Sequence, residues 1–238
     1  MLDFIRIACA VPAVRVGDTA KNAEDICAYI EKADGERADI VLFPELALTG
    51  YTCQDLFFQD TLWTGVQQGI RKIADCTKDH PNVTAAVGLP VRTGMRLYNC
   101  AAVISRGKIH ALVPKTYIPN YNEFYEKRWF SSGAEVTEDV AELLGEPVPV
   151  LPRAVFRVGS TLLGVEICED MWTPLPPSTF LTLNGAEVIL NLSASNETIG
   201  KRAYRRGLVQ HQSAALNCVY AYCSAGSTES TQDLIFSG

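Results

Sequence analysis

The chain has 238 residues, enough for one large domain with a substantial core. Its net charge of −6 argues against nucleic acid or an anionic membrane as the main partner. No apolar run approaches the roughly 18 residues that a membrane helix needs.

The N-terminus holds Ala8-Cys9-Ala10, which looks like a small-residue cleavage site. Asp3 and Arg6 interrupt the few residues before it, so there is no apolar stretch for export and a cytoplasmic protein is expected. Eight cysteines, none in a C-x-x-C pair, read as reduced thiols. The three histidines (His80, His110, His211) are scattered without ligand spacing, so no metal site is expected.

In chain order, Leu2 to Val11 reads as a strand. Asp18 or Thr19 caps a helix with apolar positions Ala23, Ile26, Cys27, Ile30 and Ala33, a period near 3.6, and Gly35 stops it. Ile40 to Phe43 is apolar throughout, as in a strand buried on both faces. A second helix is predicted from about Thr61 to Asp75 on Leu62, Trp63, Val66, Ile70 and Ile73. Strands follow at Val83–Val87, Tyr98–Ile104 and Ile109–Val113, the last two joined by the turn Ser105-Arg106-Gly107-Lys108.

Residues Lys127 to Pro152 are acidic, carry Pro147, Pro149 and Pro152, and read as a surface loop. Strands resume at Ala154–Val158 and Thr161–Ile167 across Gly159-Ser160. A short helix near Ser178–Leu183, a buried strand Val188–Leu192, a helix Lys201–Leu216 and a strand Val219–Cys223 follow. Leu234-Ile235-Phe236 reads as a last strand. Helix-strand alternation with hairpins between implies an α/β protein with mixed sheets. Ala38-Asp39-Ile40-Val41-Leu42 and Ala186-Glu187-Val188-Ile189-Leu190 each follow a helix and a glycine, a faint echo of two related halves.

Three of the apolar runs end on a reactive residue. Val41-Leu42-Phe43-Pro44 ends on Glu45, Ala111-Leu112-Val113-Pro114 on Lys115, and Gly164-Val165-Glu166-Ile167 on Cys168. A strand end mounts a group rigidly. Together they are a base, a cation and a nucleophile, the parts needed for acyl transfer through a thioester. Each alone also reads as an ordinary residue: Cys168 as a small core side chain, Glu45 as a loop carboxylate, Lys115 as a strand-end cation. Their joint occurrence at three strand ends favours the chemical reading.

These residues resemble the nitrilase superfamily. Phe43-Pro44-Glu45-Leu46, Val113-Pro114-Lys115 and Glu166-Ile167-Cys168-Glu169-Asp170 look like its glutamate, lysine and cysteine segments. The resemblance spans the chain from Ile5 to Phe236 and implies a four-layer α-β-β-α sandwich. Leu48-Thr49-Gly50-Tyr51, Asp55-Leu56-Phe57, Pro176-Pro177-Ser178, Ser193-Ala194-Ser195-Asn196 and Tyr204-Arg205-Arg206 are similar to the glutaminase domain of glutamine-dependent NAD synthetases. That likeness implies L-glutamine as substrate, Cys168 as nucleophile, and ammonia passed to a synthetase domain that amidates nicotinic acid adenine dinucleotide to NAD.

The likeness also implies that Tyr121, Ser195 and Lys201 hold glutamine, and that Glu123 is a second glutamate positioning substrate and Lys115. No cofactor is expected for the glutaminase step. ATP and Mg belong to the synthetase domain, whose Ser-Gly-Gly-x-Asp-Ser phosphate loop this chain lacks. The ending at Phe236-Ser237-Gly238 reads as the boundary of a fragment, and family members assemble through this domain, so a homo-oligomer is expected. A stand-alone amidase or carbamoylase, or a non-catalytic nitrilase-like oligomerisation module, are the alternatives. Intact Glu45, Lys115 and Cys168 speak against the last.

Overall fold

The computed structural model describes residues 4–143 and 145–238. Its strands are β1 (Ile7–Cys9), β2 (Ile40–Leu42), β3 (Thr84–Thr93), β4 (Arg96–Ser105), β5 (Lys108–Pro114), β6 (Asn120–Tyr121), β7 (Phe124–Tyr125), β8 (Val140–Leu143), β9 (Glu146–Pro149), β10 (Val155–Val158), β11 (Thr161–Ile167), β12 (Val188–Ser193) and β13 (Val219–Ser224). The α-helices are α1 (Thr19–Gly35), α2 (Asp60–Asp79), α3 (Pro177–Leu183) and α4 (Lys201–Leu216).

Two mixed sheets form the centre. The first has the order β1-β2-β3-β4-β5, parallel up to β3 and antiparallel beyond it. The second has the order β10-β11-β12-β13, with only β10 antiparallel to its neighbour. The echo in the sequence falls on β2 and β12, each parallel to both of its neighbours.

Alternation along each strand divides the side chains between two cores. Val41, Val87, Cys100 and Ala102 pack on Ile26, Ile30, Val66, Ile70 and Ile73 of α1 and α2. Their neighbours Ile40, Leu42, Ala86 and Val103 face Leu163, Val165, Ile167, Leu190 and Leu192 of the second sheet. Ile189 and Leu181 join α3 to the outer face of that sheet. The result is an α-β-β-α sandwich. No helix among the described residues is long and apolar enough to cross a membrane.

Local signals account for the element ends. The Asp18 side chain accepts from the Lys21 N–H at 3.0 Å and caps α1. The left-handed residue that ends this helix is Arg37 (φ 57°), two residues beyond the expected Gly35. The first strand is shorter than expected, and residues 2 and 3 of its predicted span lie outside the described residues.

Two expectations need correction. The 127–152 stretch is not a plain loop. It contains the hairpin β8–β9, whose Ala141, Leu143 and Val148 are buried in the core beneath α1 and α2. Alternation is present there, but Pro147 and Pro149 sit on its exposed positions and mask it. Leu234-Ile235-Phe236 is not a strand. Leu234 and Phe236 instead fill a third apolar cluster with Leu46, Tyr51 and Phe57, at the end of the sandwich where the three reactive strand ends meet.

Candidate active site

Glu45 lies just beyond β2 and is 1% exposed. Its N–H donates to the Ser193 carbonyl at 3.2 Å. Its Oε1 accepts from Asn99 Nδ2 and Lys115 Nζ, both at 2.6 Å, and its Oε2 from the Ala194 N–H at 2.9 Å. One carboxylate thus binds both sheets. Gly88 on β3 allows this approach, since a Cβ there would lie 2.3 Å from the Leu46 nitrogen and 2.5 Å from the Pro44 oxygen.

Lys115 is completely buried at the end of β5. Its backbone N–H donates to the Asn99 carbonyl at 2.8 Å. Its Nζ reaches Glu45, and also Glu126 Oε1 and Oε2 at 2.7 and 2.9 Å. Glu126 Oε1 accepts a further bond from the Tyr51 hydroxyl at 2.8 Å.

The carboxylate beside Lys115 is therefore Glu126, and the expectation that Glu123 positions the lysine does not hold. Glu123 belongs to the antiparallel β6–β7 turn, where its Oε1 accepts from Asn196 Nδ2. Glu126 begins the following 3-10 turn, which directs it inward to 2% exposure.

Cys168 is buried at the junction between β11 and a 3-10 turn, Cys168–Trp172, with φ of 45°. A non-glycine residue in the left-handed region stores strain, which persists only where the surroundings enforce it. Asp170 does so. Its carboxylate accepts from the Ile167 N–H at 3.0 Å, and from the Thr116 and Tyr117 N–H groups at 3.1 and 2.8 Å. The cysteine turn and the residues after Lys115 are thereby tied together.

Electrostatics follow from this burial. Burial, reinforced by the negative charge of Glu45, pushes the Cys168 thiol up, while Lys115 and the Ala194 N–H oppose that. The resting group is the thiol, so attack requires a proton acceptor. Burial alone would push Lys115 down, but Glu126 and Glu45 hold it well above its usual value, so it stays charged. Burial pushes Glu126 up to about 7, with Lys115 opposing and Glu45 adding to the shift.

Of the other expected residues, Tyr121 and Lys201 lie against the Cys168–Trp172 turn. Tyr121, half exposed, donates through its hydroxyl to both oxygens of Glu169, at 3.0 and 2.9 Å. Lys201 Nζ donates to Asn196 Oδ1 and lies 5.5 and 5.4 Å from the ring centres of Phe124 and Trp172. Ser195 is buried, its N–H donating to Ser224 Oγ at 3.2 Å. Glu126 and Asn99 lie in none of the motifs singled out in the sequence, while Tyr51 and Ala194 lie in quoted segments with no role assigned to them. Asn99 had a signal: a polar residue inside an apolar strand between Tyr98 and Cys100.

The profile of the carbon-nitrogen hydrolase family matches residues 6–237. The chain belongs to that family. It is 37% identical over 238 residues to the glutamine-dependent NAD(+) synthetase of Mycobacterium bovis, covering 99% of this chain and 35% of that protein. It is 36% identical to the synthetase of Xylella fastidiosa, covering 93% and 37%. The chain thus spans about a third of the length of these curated relatives.

Among solved structures, the glutamine-dependent NAD(+) synthetase of Cytophaga hutchinsonii superimposes with a TM-score of 0.79 at 29% identity, covering 94% of this chain and 36% of that one. An amidase from Nesterenkonia sp. shares the fold, with a TM-score of 0.77 at 19% identity over 98% of this chain and 79% of its own.

Proposed function

We propose that this domain hydrolyses L-glutamine through a thioester on Cys168 and supplies the ammonia to a synthetase domain that amidates a nicotinate dinucleotide. The observation that carries the reading is the buried, doubly paired Lys115 beside a strained, buried Cys168. It is supported by the synthetases to which the chain is similar.

Glu45 takes the thiol proton as Cys168 Sγ bonds to the side-chain carbonyl carbon of glutamine. Charge develops on the carbonyl oxygen, where the Lys115 ammonium stabilises it. Collapse breaks the C–N bond, and the proton held by Glu45 leaves with the amine as ammonia. Water then attacks the thioester, Glu45 takes its proton, and collapse releases glutamate while that proton returns to the sulfur. Glu126 keeps Lys115 charged and aimed throughout.

An amino-acid substrate brings one carboxylate and one ammonium. Lys201, held at its Nζ by Asn196, suits the carboxylate, and Glu169, hydrogen-bonded to Tyr121, suits the ammonium. A nitrile or a simple aliphatic amide needs neither.

The test is incubation with glutamine, with release of ammonia and glutamate in equal amounts as the expected result and Cys168→Ala as the inactive control. A diazo-ketone analogue of glutamine should label Cys168. Labelling at another cysteine would overturn the site. Hydrolysis of a carbamoyl amino acid or a nitrile, but not of glutamine, would overturn the substrate.

A further inference from the structure

We propose that Arg205 is a positioning residue that sets the substrate-holding segment 195–201 against Cys168, acting through Ser195 and Asn196 without touching the substrate. The inference rests on the glutamine reading above. Arg205 is 7% exposed and is the buried residue of α4, the rest of which remains at least partly exposed. Where helix-to-sheet packing ordinarily places an apolar residue, this helix has a guanidinium.

All its bonds run to one segment. Nη1 donates to Ser195 Oγ at 3.3 Å and to the Asn196 carbonyl at 3.5 Å, and Nη2 pairs with the Glu197 carboxylate. Three consecutive residues are gripped by one fork of donors, a geometry that a lysine ammonium does not reproduce. Asn196 then carries the constraint outward, because its side chain accepts from Lys201 and donates to Glu123. Lys201 lies one turn before Arg205 on the same helix face. The segment is also fastened from below by Ser224 and from the side by the Ile235 carbonyl, which accepts from the Glu197 N–H at 2.6 Å. Arg205 is the part of this clamp that reaches Ser195 and Asn196 together.

Two labelling rates at Cys168 test the proposal on the chain described here: one with iodoacetamide, which needs no substrate pocket, and one with the diazo-ketone analogue of glutamine. The ratio of the two measures how well the pocket is set. Arg205→Met should lower the ratio by about 10-fold, the effect of one displaced polar contact, and Arg205→Lys by less. Glu197→Gln, which removes the ion pair but keeps an acceptor, should leave it nearly unchanged. In a Ser195→Ala background, Arg205→Met should lower the ratio by clearly less than it does alone, because only the bond to the Asn196 carbonyl is then left to lose.

An unchanged ratio in Arg205→Met, fully additive effects of the two substitutions, or an equal drop in both labelling rates would overturn the proposal in favour of simple helix anchoring. If Arg205→Met fails to fold, Arg205→Lys, alone and with Ser195→Ala, decides by the same criteria. A wild-type chain with no preference for the glutamine-shaped reagent overturns the glutamine reading itself, and this inference with it.

Discussion

The two sides of the site differ in how their charges are kept. On the chemical side, Glu45, Lys115 and Glu126 are at most 2% exposed and satisfy one another. On the recognition side, Tyr121 is half exposed, while Glu169 and Lys201 are only partly covered. The first set must be aimed before substrate arrives, because its value lies in dipoles and charges that do not reorganise during reaction. The second must let a charged molecule in and out. Charged side chains therefore carry very different structural weight on the two sides.

The largest effect expected from this contrast is at Lys115. Lys115→Met leaves two buried carboxylates without their cation and should destabilise the fold by roughly 3–5 kcal/mol, with loss of hydrolysis. A urea denaturation midpoint checks this. A change under about 1 kcal/mol would mean that the chemical side is no more demanding than a surface pair.

Glu229 gives an intermediate effect. Its Oε2 accepts from the Tyr51 N–H at 2.6 Å, while its buried Oε1 has no hydrogen-bond partner among the described residues. Burial pushes its carboxyl up to about 7, from an ordinary value of 4.5. A group raised on folding contributes stability that is complete below pH 4.5 and lost as pH rises through about 7. The protein should thus lose roughly 3 kcal/mol across that window through this group. Glu229→Gln should make the curve of unfolding free energy against pH less steep, with Glu126, also raised to about 7, keeping part of the slope. An equally steep curve in the variant would remove Glu229 as its source.

The smallest stability effect is expected at the rim. Tyr121→Phe removes only the bond to Glu169, so unfolding should shift by less than about 1 kcal/mol while KM for glutamine rises. A drop in kcat at constant KM would place Tyr121 on the chemical side instead.

Legibility in the sequence follows the same division. Glu45, Lys115 and Cys168 were readable because each ends an apolar run, and a strand buried on both faces is a local pattern. Glu126 was not readable. It and Glu123 are acids in two successive short turns, and only the fold of those turns sends one to Lys115 and the other to Asn196. The β8–β9 hairpin was missed because its prolines suggest a loop to any local reading.

By itself, then, the sequence determined the four α-helices, the strands of the two central sheets and the three reactive strand ends, since periodicities of 3.6 and 2 arise from neighbours along the chain. The tertiary structure decided which charges meet. Glu45 joins Asn99 across 54 residues, Lys115 across 70 and the Ala194 N–H across 149. No local pattern encodes such pairings. They exist because two sheets pack face to face and bring their strand ends into one buried space, where an unpaired charge is too costly to remain.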